Sequence, residues 1–278
     1  SIRKEPSLTT DSLNLEIIRV TPPEGVVSKP VPLVFLHGAF AGAWCWIERF
    51  LPYYAAHGYT CYAPSFRGHG GSGGQQDINR FGIADYIKDL SSVVEDLDRS
   101  PVLIGHSMGG FVAMKYAEDH DIAGLALLSS VPPAGLIGPS MSLAMWNPML
   151  MLDIGRVQSG RPDAMTMNSL RQALFSKHVP ASLINKYLPM MGGESSRAVA
   201  EMHGLIQVRP DRLTGRMPIL VLGAEDDGLI PPPFIRSTAR LLGETAHILP
   251  RTGHGIMLDD AWQTAADTLA QWLTENDM

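Results

Sequence analysis

The sequence predicts an α/β fold: a mostly parallel central sheet flanked by helices, with a helical cap inserted late in the chain. Three observations predict it. Short runs that are apolar almost throughout recur along the chain, which is how strands read when a sheet is covered on both faces. Segments with apolar residues at helical spacing separate those runs. One long interval, from about 134 to 215, breaks the alternation; it is Met-rich, punctuated by Pro and Gly, and has no clear strand. At 278 residues the chain sits near the upper end of what one core supports. The expected division is therefore a core of 1–133 and 216–278 carrying a helical cap, or lid, of 134–215.

The elements follow in order. "LNLEIIRV" (13–20) and "PLVFL" (32–36) read as strands, followed by "YTCYAP" (59–64), "PVLIG" (101–105) and "IAGLALLSS" (122–130). After the interval come "PILVLGA" (218–224) and "TAHILP" (245–250). Between them, Ile83, Tyr86, Ile87, Leu90, Val93, Val94 and Leu97 line one face of a helix over 83–97. Trp44, Ile47, Phe50, Leu51 and Tyr54 make a similar stripe, and so do Trp262, Ala265, Ala266, Leu269 and Leu273.

Charge and cysteine usage narrow the function. A net charge of −6 with no block of Lys or Arg gives no footprint for phosphate backbones, so a nucleic-acid partner is not expected. Cys45 and Cys61 have no metal-ligand spacing and read as two buried thiols; no metal and no cofactor is expected. The first residues, "SIRKEPSLTTDS", lack the apolar core of a signal peptide, and a cytoplasmic protein is the simplest expectation. The longest uncharged stretch, 132–152, is broken by Pro132, Pro133, Pro139, Asn147 and Pro148, so no membrane span is expected. Its exposed face could serve a homodimer or a lipid surface.

The segment "LIGHSMGG" (103–110) carries the chemistry. Ser107 stands between Gly105 and Gly109 where a strand gives way to a helix, the context that a G-x-S-x-G turn requires. Such a turn holds the hydroxyl at a helix N-terminus, where backbone N–H groups favour developing negative charge. A serine is a weak nucleophile without a base. His254, between glycines in "TGHGIMLD" on the loop after the last strand, is the best placed of nine histidines. An imidazole in that role needs a carboxylate to fix its tautomer. The loop "VLGAEDDGLIP" offers Glu225, Asp226 and Asp227 at the carboxyl edge of the sheet.

These segments, with "FLHGAFAGAW" (35–44) and "SFRGHGGS" (65–72), resemble the α/β-hydrolase superfamily over nearly the whole chain except the cap. The resemblance implies an α/β-hydrolase fold of the serine esterase or lipase type, with Ser107 as nucleophile and His254 as base. Relatives often follow the triad acid with an aliphatic residue and then Pro, as Ile230 and Pro231 follow Asp227. That implies Asp227, with Asp226 as the alternative. It also implies an oxyanion hole from the N–H groups of Met108 and Ala39, with Phe40 the second choice. His37 and Gly38 would shape that loop. Ser65 stands where relatives usually carry Asp.

Relatives that open epoxides or remove halide use an Asp nucleophile and dienelactone hydrolases use Cys, so by the same resemblance Ser107 argues against these chemistries. The expected reaction is cofactor-independent cleavage of small apolar carboxylic esters, with acyl or aromatic substituents, through an acyl-enzyme. Thioester, C–C bond and perhydrolase chemistry use the same machinery, and a ligand-binding receptor with negligible turnover would share the motifs. The cap concentrates Met141, Met145, Met149, Met151, Met165, Met167, Met190 and Met191 beside Trp146. Met adapts to varied apolar ligands. Phe40, Met141, Met145, Trp146 and Met149 are thus the candidate pocket, the competing reading being that the methionines fill the cap's own core.

Overall fold

The computed structural model describes residues 2–4, 8–10, 13–159 and 164–278, the side chains of 4, 8–10 and 164–167 excepted. Among the described residues ten strands form: β1 (Ile2–Lys4), β2 (Leu8–Thr10), β3 (Leu13–Leu15), β4 (Ile17–Val20), β5 (Leu33–Leu36), β6 (Cys61–Pro64), β7 (Val102–His106), β8 (Gly124–Leu128), β9 (Ile219–Ala224) and β10 (Ala246–Leu249). Eight of them make one sheet in the order β1-β4-β6-β5-β7-β8-β9-β10, while β2 and β3 pair separately. The β1–β4 and β4–β6 pairings are antiparallel and every pairing from β6 to β10 is parallel.

The central strands read as unbroken apolar runs because both of their faces are covered. Leu33, Phe35, Val102, Ile104, Ala126 and Leu128 point into one core, with Phe50, Tyr54, Leu269 and Leu273 from the helices Phe50–Ala56 and Trp262–Glu275. Val34, Leu36, Leu103, Leu125 and Leu127 point into the other, with Tyr86, Leu90, Phe111 and Ile235 from the helices Ile83–Glu95, Met108–Ala117 and Pro232–Leu241. Alternate residues of one strand thus feed opposite layers. Burial of each such Leu or Phe side chain contributes about 1.5–3 kcal/mol.

The stripe from Trp44 to Tyr54 is two helices, Trp44–Ile47 and Phe50–Ala56. The chain leaves helical geometry at Arg49 (φ −127°, ψ −60°), whose guanidinium donates to the Asp259 carbonyl. Between β8 and β9 run the helices Ile137–Trp146, Pro148–Gln158, Ala164–Leu174, Ala181–Tyr187 and Ser196–Ala200, with no strand among the described residues of that interval. Asn147 ends the first and caps the second, its Oδ1 accepting from Leu150 N at 3.2 Å with Pro148 at the first helical position. Among the described residues no helix is long and apolar enough to cross a membrane. Because the central strands run parallel, the loops that follow β5, β7, β9 and β10 leave the sheet at one edge. That edge carries the site.

Candidate active site

Ser107 follows β7 directly and precedes the helix Met108–Ala117, in a conformation (φ 52°, ψ −117°) that side-chain-bearing residues rarely adopt. Four backbone hydrogen bonds hold it there. Ser107 N donates to Leu128 O, and Ser107 O accepts from Gly110, Phe111 and Val131. The turn needs its glycines: a Cβ at Gly105 would lie 2.5 Å from Gly109 O, and one at Gly109 would lie 2.4 Å from Leu36 O.

His254, on the loop after β10, is buried and its Nδ1 lies 2.8 Å from Asp227 Oδ2. The other Asp227 oxygen accepts from Leu229 N and Ile230 N, each at 2.8 Å. A carboxylate so held can only accept, so Nδ1 carries the proton and Nε2 is left as the basic nitrogen. Asp226 is exposed and lines a separate polar depression with Arg171 and Lys177; Glu225 accepts from Arg251 N. Of the three adjacent acids, only Asp227 reaches the histidine.

Ser107 and His254 line one cavity without a hydrogen bond between them. Such contacts are often long before substrate arrives. His254 is fixed from behind by His106, whose Nε2 lies 2.8 Å from His254 O. Burial, aided by the neighbouring His254, lowers the His106 pKa to about 3, so this ring is a neutral donor. Asp259 anchors the rest of the loop, accepting from Gly253 N, Ser176 N and Ser176 Oγ.

The loop after β5 brings up backbone donors. His37 Nε2 accepts from Phe66 N at 3.0 Å and its Nδ1 lies 2.8 Å from Gly38 O, which fixes the tautomer and ties down the loop. Burial, then the nearby His69, hold the His37 pKa well below its ordinary value. Phe40, also at positive φ (62°), spends its N–H on Glu194 Oε2 at 3.3 Å. The N–H groups of Ala39 and Met108 carry no hydrogen bond among the described residues. Ser65 relays Ala43 N (2.8 Å) to the Glu16 carboxylate (2.9 Å), so a carboxylate still serves this corner of the chain.

One part of the surroundings escaped sequence reasoning. Glu194, a buried acid between the helices of the interval, accepts from Phe40 N, Tyr86 Oη and Ser195 N and pairs with His69 Nε2 at 2.9 Å. Burial alone would lower the His69 pKa, but the Glu194 charge and hydrogen bond outweigh it and raise the ring above its ordinary value. His69 and Glu194 are 125 positions apart, and no spacing rule joins them.

Two apolar cavities meet at Ser107. One, of about 130 Å³, is walled by Trp44, Leu174, Phe175, Tyr187 and Met257. The other, of about 320 Å³, is walled by Leu136, Leu143, Met151, Val199 and Met202. Phe40 lines both. Met141, Met145, Trp146 and Met149 line neither and are 64%, 69%, 81% and 48% exposed, which corrects their expected place in the pocket. Helical phase accounts for three of them: Leu136, Pro139, Ser140 and Leu143 occupy the inner face of the first helix, so Met141 and Met145 face outward, and Met149 is out of phase with Met151, Ile154, Gly155 and Gln158 on the second. Trp146 is in phase with Leu143 but is the last residue of its helix and is exposed there. Met151 and Met191 do line the cavities, Met190 is exposed, and the side chains of Met165 and Met167 lie outside the described residues. Cys45 and Cys61 are buried and free. Among the described residues no cluster of His, Cys, Asp and Glu has the makings of a metal site.

Comparison with known proteins identifies the family. A family model described as the alpha/beta hydrolase family matches residues 33–268. An AB hydrolase superfamily protein of Bacillus subtilis is 25% identical over 243 residues, 82% of this chain and 87% of that protein. A monoacylglycerol lipase of Mycolicibacterium smegmatis is 24% identical over 270 residues, 92% of this chain and 90% of that protein. The solved structure of an esterase from Exiguobacterium antarcticum shares the fold, with a TM-score of 0.74 at 18% identity over 98% of this chain and 100% of that one. The family match runs from β5 through β10 and takes in the loops bearing Ser107, Asp227 and His254: the chain belongs to the alpha/beta hydrolase family.

Proposed function

We propose that the protein is a serine-dependent carboxylic ester hydrolase that needs no cofactor, with Ser107, His254 and Asp227 as its triad and the helices of 134–215 as a cap over the site. One observation carries the reading: Ser107 shares an apolar cavity with a histidine already oriented by a buried carboxylate. His254 Nε2 takes the Ser107 proton as Oγ bonds to the ester carbonyl carbon. The carbonyl electron pair moves onto oxygen, where the unspent N–H groups of Ala39 and Met108 receive it. Each such donor is worth about 2.7–4 kcal/mol in the transition state. Collapse expels the alkoxide, which takes the proton from His254, and leaves an acyl group on Ser107. Water activated by the same histidine then releases the acid. The apolar walls favour neutral substrates, in keeping with the monoacylglycerol lipase and esterase among the relatives.

The test is hydrolysis of a p-nitrophenyl ester series by the native protein and by Ser107→Ala. Ester turnover should fall at least about a thousandfold in the variant, and an acyl adduct should appear on Ser107 by mass spectrometry during native turnover. Equal turnover by the two proteins would overturn the assignment.

A further inference from the structure

The two cavities are not equivalent with respect to the reacting groups. His254, Gly255, Met257 and Leu258 wall the smaller one and do not reach the larger. Met108 and Ile230 wall the larger one and do not reach the smaller. Ala39, Phe40, Ser107, Ile154 and Leu229 belong to both and form the junction.

We infer that the smaller cavity takes the alcohol part of the ester and the larger takes the acyl part, so the substrate is a neutral ester of a compact alcohol with a longer apolar acid. The inference rests on the serine hydrolase reading above. When the tetrahedral intermediate collapses, the bond from carbon to the leaving oxygen breaks, and that oxygen receives the proton held on His254 Nε2. It must therefore lie within hydrogen-bond reach of His254, which sets the alcohol on the wall that His254 forms. The acyl chain shares its carbon with the oxyanion and is directed away from His254, past Met108, into the other arm.

Volume then sets the size of each part. An apolar cavity of about 150 Å³ holds one benzene ring, so the His254 arm, at about 130 Å³, fits a single ring or a short branched alkyl group. The Met108 arm, at about 320 Å³, holds more than twice as much. Among the described residues the lining of the two arms contains no Asp, Glu, Lys or Arg. A charged substituent on either part would be desolvated there without a partner. When the alcohol leaves, the vacated His254 arm is also the place from which the hydrolytic water reaches the acyl-enzyme, beside the base that activates it.

The test is a substrate matrix followed by pH titration of released acid: acetyl to decanoyl esters, each as the methyl, butyl, phenyl and naphthyl ester. The native protein should accept phenyl and reject naphthyl esters while its preference climbs with acyl length. Val157 lines the His254 arm and not the other; Val157→Phe narrows that arm and should lower kcat/KM for butyl and phenyl esters about tenfold relative to methyl esters at every acyl length. Leu143→Trp narrows the Met108 arm and should lower the long-acyl esters about tenfold whatever the alcohol, leaving acetates within about twofold. Val157→Ala and Leu143→Ala, which widen the same arms, should move the alcohol and acyl optima upward and decide the matter if a bulky variant fails to fold. Swapped effects, or joint loss of both preferences from either variant, would overturn the assignment of the arms alone. No turnover of any ester by the native protein would overturn the ester reading and the arms together.

Discussion

At Ser107 the backbone holds a conformation that costs on the order of 1–3 kcal/mol for a residue with a side chain, and the surroundings that impose it are equally tight. Gly109 passes so close to the Leu36 and His37 carbonyls that a Cβ would lie 2.4 and 2.5 Å from them. Both obstacles are backbone, so neither can swing aside. Gly109→Ala should therefore destabilise the protein by at least about 1–3 kcal/mol, read as a lower urea midpoint. It should also lower kcat, because the displaced turn carries the Met108 N–H. A variant with native midpoint and native kcat would contradict this account. The two glycines, Ser107 and His254 are legible in the sequence because the turn and the last loop are local motifs. The proposed triad acid is less so, since three adjacent carboxyls differ only in what they meet: two backbone N–H groups turn Asp227 inward while Asp226 faces solvent. The pocket is least legible. A count of methionines carries no helical phase, and phase is what puts Leu143 inside and Met145 outside.

Among the elements, the loop after β5 is gripped from two directions. His37 binds it to the loop after β6 through Phe66, while the interval between β8 and β9 holds both polar groups of the Phe40 backbone, through Gly192 N at 2.9 Å and the Glu194 carboxylate. Glu194 thereby sets the position of Ala39, the neighbouring donor proposed for the oxyanion. Glu194→Gln keeps the volume but replaces one acceptor oxygen by an NH₂ facing groups that are themselves donors. We expect kcat on esters to fall about tenfold to a hundredfold while KM stays within about threefold, with Glu194→Asp intermediate. Steady-state kinetics on the folded variants checks this. A merely structural role would lower the melting temperature and leave kcat per folded molecule unchanged. The sheet elements were legible for a related reason: β5, β7, β8 and β9 are buried on both sides, so their burial is written as continuous apolar sequence. The strands β1 and β2, three residues each, carry too little pattern to stand out. The Glu194 grip depends on residues distant in sequence and met only on folding.

For the whole molecule, three buried histidines shape stability against pH, and their signs differ. His106 titrates at about 3 in the folded protein because it is buried, against 6.5 for a free histidine. Between those values the unfolded chain binds the extra proton, so stability falls as pH drops from about 6.5 toward 3. His37, whose pKa is also lowered first by burial, acts in the same direction. His69 is the opposite case. Its folded pKa lies above 6.5, so the stability it contributes through Glu194 is fully present below pH 6.5 and is lost as pH rises through the folded value. Urea unfolding across pH 4.5 to 9 should thus show an acid limb and an alkaline limb, each of which a separate variant can reduce. His106→Asn should flatten the acid limb by up to about 1.4 kcal/mol per pH unit, the equivalent of one proton. His69→Gln should flatten the alkaline limb and leave the acid limb in place. An acid limb that keeps its full slope in His106→Asn would mean that this ring is not the neutral, buried donor that supports His254.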